Sequence, residues 1–284
     1  MTDQDAAPGG AGFDAAWVDH ELARHDPAWP AIRFVRQTGS TNADGLAAVA
    51  AGAQPWTIVV ADCQVQGRGR LDRRWEAPRG TALLASVILR LPAAAQADAV
   101  GWVPLLVGMA VTRAIRELSV RAEVKWPNDV VVCPPDTDPR KLGGILVERH
   151  GNFAVAGFGI NTEMRPSQLP VPTATSLLIE KATSTSREVL LVAVMIEMRG
   201  IWGRWLSAGA DVDRSGLREQ YLDMSATLGC DVAATLPGGE VIAGRATKID
   251  HDGHLVINTA AGDLVVAAGD VEHLRTAPGG DNSG

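Results

Sequence analysis

The ten residues 82–91, ALLASVILRL, carry one charge between them. Successive side chains of a β-strand point to opposite faces, so a run that is apolar at nearly every position has two faces to keep from water and belongs in the middle of a sheet. Shorter runs of strand character supply neighbours for it, at residues 32–36, 57–63, 123–125, 130–132, 141–148 and 153–159. Helical spacing marks residues 15–25, a segment from 41 to 51 stopped by Gly52, residues 100–118 around Pro104, residues 188–206, and a short segment at 216–223. From residue 226 to 275 the texture changes to short strands (231–236, 241–249, 255–258 and 264–267) separated by turns such as Pro237-Gly238-Gly239 and Asp252-Gly253, the spacing of a small β-barrel. The expected organisation is a tail at 1–12, a large unit at 13–225, a barrel at 226–275 and a second tail at 276–284.

Immediately after the strand at 57–63 the sign of the charge reverses. The whole chain carries −7, yet residues 67–79 hold five arginines against two acids, on a backbone with glycines at 67 and 69. Glycine lets a backbone approach a ligand closely, and arginine grips phosphate or carboxylate oxygens with a two-pronged fork. Three readings fit: a solvated surface loop, a nucleic-acid contact, or a cradle for a small anion. The acidic balance of the chain argues against nucleic acid, which needs a broad basic face.

Other stretches carry polar groups where packing alone does not require them. Ser40 or Thr41, in Thr38-Gly39-Ser40-Thr41-Asn42, suits the N-cap of the following helix, and hydroxyls and amides at a helix start also suit a polar ligand head. Lys125-Trp126-Pro127-Asn128-Asp129 breaks two strand-like runs. It reads as a hairpin turn, or as a turn that also offers an amide to a base edge and a carboxylate to magnesium. Lys141 stands just before the pair Gly143-Gly144 at a strand start, where glycine marks the close approach of a ligand or another backbone.

The arginine loop reads GxGxxD and residues 157–162 read GxGxxT, so neither completes a dinucleotide fingerprint. There is no phosphate-loop or nucleophile-elbow signature and no HExxH. Cys63, Cys133 and Cys230 are odd in number and widely spaced, with no zinc pattern. The N-terminus lacks signal-peptide character and the longest apolar run is too short to cross a bilayer, so the expectation is a cytoplasmic protein with no membrane partner.

Taken together and in this order, TGSTN, GRGRLDRRWEAP, KWPNDV, KLGGILVE and GFGINT resemble the biotin protein ligases over residues 32–275. The resemblance implies an α+β fold: a class II synthetase-like mixed sheet flanked by helices, then a small SH3-like barrel. It implies an ATP-dependent ligase that adenylates biotin to biotinyl-5′-AMP and transfers biotin to a lysine of the biotin carboxyl carrier domain of a biotin-dependent carboxylase. Biotin and ATP are its substrates and Mg2+ its activating ion. The runners-up are a lipoate-type carboxylate-adenylating ligase and a non-enzymatic biotin-sensing or nucleic-acid-binding protein.

Position by position, the resemblance assigns Ser40, Thr41, Asn42 and Gln64 to the biotin head. Gly67, Arg68, Gly69 and Arg70 become a loop closing over biotin and adenylate. Trp75 and Arg73 face the nucleotide with Lys125, Asn128 and Asn161, and Asn128 reads the adenine. Asp129 holds magnesium, Lys141 meets the biotin carboxylate and α-phosphate, and Gly144 lies against the biotin rings. Arg70 and Lys141 are the catalytic pair. Some family members add an N-terminal DNA-binding helix-turn-helix; the chain ahead of residue 32 is too short for one, so no nucleic-acid function is expected, and the oligomeric state is monomer or weak dimer. Two departures stand in the loop, Asp72 where glycine is usual and Ala77 where serine is usual; the Asp72 charge beside Arg70 and Arg73 weakens the loop's hold on an anion.

Overall fold

The computed structural model describes residues 12–70, 73–92, 97–135, 137–236, 238–267 and 269–273. Asp72 and the two expected tails, apart from Gly12, lie outside the described residues. The apolar run at 82–91 forms β3 (Ala82–Arg90), third in a seven-stranded sheet. The other strands are β1 (Arg33–Val35), β2 (Ile58–Ala61), β4 (Ala122–Lys125), β5 (Asp129–Val132), β6 (Arg140–His150) and β7 (Phe153–Asn161), in the order β1-β2-β3-β7-β6-β5-β4. β1 and β2 run parallel and every other pair is antiparallel, which makes the sheet mixed.

The two faces of β3 serve different neighbours. Leu83, Ala85, Val87 and Leu89 point into the main core beneath α3 (Val103–Glu117) and α4 (Arg187–Ser207), with α1 (Ala15–His25) packed outside α4. Ile88 on the opposite face packs under α2 (Thr41–Ala50), with Ala48, Val49 and Val155, while Leu84 packs near the base of the arginine loop with Trp75 and Ala77. Each fully buried Leu, Val or Ile contributes about 1.5–3 kcal/mol, so the two faces of this one strand hold much of the sandwich together. Pro104 sits in the first turn of α3, where its missing N–H has no intrahelical partner to lose; it starts that helix and does not kink it.

After α5 (Leu217–Leu222) the chain runs along the outer edge of β4. Val124 N–H donates to Met224 O at 2.9 Å and Ala226 N–H donates to Val124 O at 2.8 Å, so this edge is covered. The expected boundary near residue 225 falls within this docked segment. A second sheet follows, with order β11-β10-β9-β8-β12, built from β8 (Asp231–Thr235), β9 (Val241–Ile249), β10 (Leu255–Thr259), β11 (Gly262–Val266) and β12 (Asp270–His273), all antiparallel. β12 is absent from the sequence reading: four residues with acids at 270 and 272 give no apolar run. The β9–β10 turn is tied down by two indoles, Trp102 at the start of α3, whose Nε1 donates to His251 O at 2.8 Å, and Trp126 just after β4, whose Nε1 donates to Gly253 O at 2.9 Å. No helix among the described residues is long and apolar enough to cross a membrane.

Candidate active site

The cavity lies on the α2 face of the sheet and holds about 540 Å³. Its floor is glycine: Gly144 on β6 and Gly157 and Gly159 on β7 all lie on its wall. A Cβ on Gly159 would stand 2.6 Å from the Trp75 ring and one on Gly144 would stand 3.4 Å from it, so bare backbone is what lets the indole lie down on the sheet. Trp75 gets there because the arginine loop folds back on itself. Its N–H donates to Gly67 O at 2.9 Å and Gly69 N–H donates to Arg73 O at 2.7 Å. Gly67 belongs to the base of this hairpin, where a side chain would collide with the Trp75 carbonyl, and it lines an adjoining shallow groove away from the main cavity wall.

One end of the cavity is a fixed array of polar groups at the start of α2. Ser40 occupies the N-cap position, but its hydroxyl makes no capping bond, which corrects the expectation of a Ser or Thr cap. The cap comes from across the chain: Gln64 Oε1 accepts from Thr41 N–H at 2.7 Å and Thr41 Oγ1 at 3.1 Å. With its oxygen so engaged, the Gln64 side chain has its NH2 to offer the cavity it lines. Asn42 is fixed as firmly. Its Nδ2 donates to Leu146 O at 3.0 Å and Glu148 Oε2 at 2.8 Å, and its Oδ1 accepts from Ser86 Oγ at 2.6 Å. Both amide protons are spent, so what Asn42 can still offer a ligand is the second lone pair of Oδ1. This end therefore presents donors and an acceptor in one preset pattern.

The other end is set up for anions. Lys141 Nζ lies 2.6 Å from Asp129 Oδ1 and 5.9 Å from the Trp75 ring centroid. Arg70 Nη1 reaches Asn128 Oδ1 at 3.5 Å, while Asn128 Nδ2 donates to Ile145 O at 2.8 Å. Gly69, Arg73 and Lys125 complete this part of the wall, while Arg68 reaches back toward Asn42, its Nη2 pairing with Glu148 Oε2 at 3.1 Å. The second sheet contributes too: His273, the last residue of β12, lines the cavity. Burial, helped by the Lys125 charge and opposed by Asp138, holds its pKa below the usual histidine range. Its Nε2 is shut off from solvent and has no hydrogen-bond partner among the described residues.

Of the residues singled out in the sequence, Ser40, Thr41, Asn42, Gln64, Arg68, Gly69, Arg70, Arg73, Trp75, Lys125, Asn128, Asp129, Lys141 and Gly144 are gathered around this cavity. Asn161 is not on its wall; it is buried, with Nδ2 donating to Thr175 O at 2.9 Å. Sequence reasoning missed Gly157, Gly159, Ser86, Glu148 and His273. The paired glycines inside a strand-like run were a usable signal for the first two. Ser86 is one polar atom in an apolar run, and Glu148 and His273 carry no local pattern at all. The closest cluster of potential metal ligands among the described residues, Asp250, Asp252 and His254, is elsewhere, in the β9–β10 turn, where Asp250 Oδ1 accepts from the N–H groups of Asp252 and His254.

Residues 35–162 match the model of the biotin/lipoate A/B protein ligase family, and residues 227–274 match that of the biotin protein ligase C-terminal domain. A biotin–[acetyl-CoA-carboxylase] ligase of Mycobacterium tuberculosis is 34% identical over 280 residues, covering 97% of this chain and 100% of the relative. The bifunctional ligase/repressor BirA of Bacillus subtilis is 28% identical over 225 residues, 76% of this chain and 66% of its own length. Among solved structures, the biotin protein ligase of Aquifex aeolicus in complex with biotin and ATP superposes with a TM-score of 0.69 at 23% identity, covering 86% of this chain and 99% of that one. The Leishmania major enzyme in complex with biotinyl-5-AMP gives 0.56, also at 23% identity, over 86% and 98%. The likeness to these two structures is one of fold.

Proposed function

The chain belongs to the biotin protein ligase family, and from that membership we infer its activity: it adenylates biotin with ATP and transfers the biotinyl group to a lysine of a biotin carboxyl carrier domain. The observation that carries the site assignment is the pairing, in one cavity, of a rigid donor–acceptor array at Thr41, Asn42 and Gln64 with a cationic end at Lys141 and Arg70. The head of biotin is a cyclic urea with one carbonyl and two N–H groups. A Gln64 NH2 facing the cavity suits the carbonyl, and the remaining lone pair of Asn42 Oδ1 suits an N–H. The bare backbone of the glycine floor leaves room for the bent, cis-fused rings, with Gly144 against them. Lipoate, whose dithiolane head has neither group, leaves these buried polar groups without partners, and a site built for hydrogen bonds discriminates strongly against such an analogue.

The chemistry needs no nucleophile from the protein. A carboxylate oxygen of biotin attacks the α-phosphorus of ATP, the bond to the β-phosphate oxygen breaks, and pyrophosphate leaves. The amine of the acceptor lysine then attacks the carbonyl carbon of the mixed anhydride, AMP leaves, and the amine proton goes to solvent. The protein's part is to bring two anions together and neutralise charge at phosphorus. Lys141 is placed to do this at the junction of carboxylate and α-phosphate, exchanging its ion pair with Asp129 for the substrates. Arg70 closes over the same junction, with Arg68 and Gly69 behind it. Arg73, Trp75, Lys125 and Asn128 lie on the nucleotide side; Asn161, buried behind the wall, supports that side through the Thr175 carbonyl.

Asp129 is a single carboxylate beside the anion site, which fits Mg2+, an ion that takes most of its ligands from substrate phosphates and water. Bound there, the ion would shield the triphosphate charge. On this reading the chain divides into a catalytic unit at 13–225 and a smaller C-terminal unit at 226–275.

Incubation of the protein with ATP, Mg2+, labelled biotin and a biotin carboxyl carrier domain tests the reading. The expected result is pyrophosphate release dependent on biotin and label on one carrier lysine, undiminished by excess lipoate. No pyrophosphate release with biotin, or release driven by lipoate, overturns it.

A further inference from the structure

Glu148 lies on β6, two residues beyond Leu146 on the face that bears the cavity. It is not on the cavity wall, and its side chain is 25% exposed. Its Oε2 receives two donors at once: Asn42 Nδ2 at 2.8 Å and Arg68 Nη2 at 3.1 Å. The first comes from the start of α2, whose polar groups frame the ligand head. The second comes from the arginine loop, which folds over the ligand. One charged oxygen thus joins the two elements, whereas Gln64 caps α2 from the strand side and Ser86 reaches Thr41 and Asn42.

We propose that Glu148 is the positioning residue that couples ligand-head recognition to loop closure, holding the Asn42 amide with Nδ2 on β6 and Oδ1 beside Ser86 and tethering the loop through Arg68. This rests on the reading of the cavity as the biotin–adenylate site. An amide can turn end for end with little change in shape, and what decides its orientation is the partners it finds. With the Glu148 carboxylate and the Leu146 carbonyl both accepting on β6, Asn42 has to keep Nδ2 on that side and Oδ1 beside Ser86 and Gly157, where its second lone pair is left for the ligand. Without Glu148 half of that preference is gone. The same carboxylate pulls the loop arginine down beside α2, so a closed loop and a correctly turned Asn42 stabilise one another. The bond to Arg68 is charge-assisted and therefore among the stronger contacts available to a partly exposed loop.

Two substitutions separate the two tasks. Glu148→Gln still offers a carbonyl oxygen to Asn42 but gives up the charge that holds Arg68, whereas Glu148→Ala gives up both. Titration calorimetry with biotin, the lifetime of bound biotinyl-AMP and the KM for ATP are the readouts. Glu148→Ala is expected to raise the biotin Kd roughly tenfold to a hundredfold, the scale of one lost charge-assisted hydrogen bond. In Glu148→Gln the biotin Kd returns to within about threefold of wild type while biotinyl-AMP still dissociates roughly tenfold faster. Adding Arg68→Gln to Glu148→Gln is expected to leave that dissociation rate where it is, the non-additivity of two partners in one contact. The KM for ATP stays at its wild-type value in both single substitutions of Glu148.

Three results would overturn the proposal: a wild-type biotin Kd and adenylate lifetime in Glu148→Ala; a parallel loss of biotin and ATP affinity with a lowered melting temperature; or additive effects of Glu148→Gln and Arg68→Gln. A wild-type protein that forms no biotinyl-AMP would instead remove the functional reading itself.

Discussion

Lys141 and Asp129 face each other across a 2.6 Å ion pair, and this pair decides what the anion end of the cavity can do. A lysine already held at the right place is a preorganised donor, and loss of one such donor slows a step that develops charge by roughly 10²–10³. Lys141→Ala is expected to slow biotin-dependent pyrophosphate release by that amount, with biotin still binding at the head end; an unaltered rate would reject the role. The floor is as exacting. In Gly159→Ala the new methyl carbon meets the Trp75 ring at 2.6 Å, and the overpacking, about 1–3 kcal/mol, falls on the ligand site. The biotin Kd should rise roughly tenfold by calorimetry. Cys133 offers a check on burial instead of chemistry. Desolvation, with Glu123 and Cys230 adding and Lys125 opposing, pushes its thiol up to about 12. At pH 8 only roughly one molecule in ten thousand carries the thiolate. Iodoacetamide at that pH should therefore leave Cys133 unmodified in the folded protein, as read by peptide mass spectrometry, while rapid labelling would place it at the surface.

The elements themselves were largely legible, and the reasons are local. β3 is written in a nearly unbroken apolar run, α1 in helical spacing that stops at Pro27 and Pro30, and the β9–β10 turn in Asp252-Gly253, with Gly253 at φ +84. What could not be read is whatever depends on order in space. The sequence of strands across the sheet and the Gln64 side chain capping a helix 23 residues away leave no periodic trace. Neither do Ser86 and Glu148 meeting at Asn42. The site was legible to the degree that its motifs bunch together, in the arginine loop, KWPND and KLGG. Asn161 shows the limit, since a motif position carried over by resemblance sits behind the wall and not on it. The contacts between the sheets are equally non-local and can be tested as such. Trp126→Phe removes the donor to Gly253 O and trims the buried ring, and is expected to destabilise the protein by about 2–4 kcal/mol in urea unfolding. Because Lys125 precedes that tryptophan on the cavity wall, the KM for ATP should rise as well; a shift in stability alone would mean the turn is tied down for folding only.

At the scale of the molecule, the second sheet matters because it closes the cavity. His273 reaches the wall from β12, and its depressed pKa fixes a sign for the acid response. Between the lowered folded value and the ordinary unfolded value near 6.5, the unfolded chain binds more protons, so stability is full above that range and falls as pH drops through it. His273→Gln should flatten this part of the stability–pH curve while leaving the carboxylate-driven loss at lower pH; an unchanged slope would put the imidazole in water. On the proposed function, the polar array at the start of α2 and the Lys141–Arg70 end grip the two ends of a single ligand. A crystal structure of the protein with biotin measures this directly. The expected density has the urea between Gln64 and Asn42 and the carboxylate within hydrogen-bonding distance of Lys141 Nζ. Biotin bound elsewhere, or turned with its carboxylate toward Asn42, would contradict the claim.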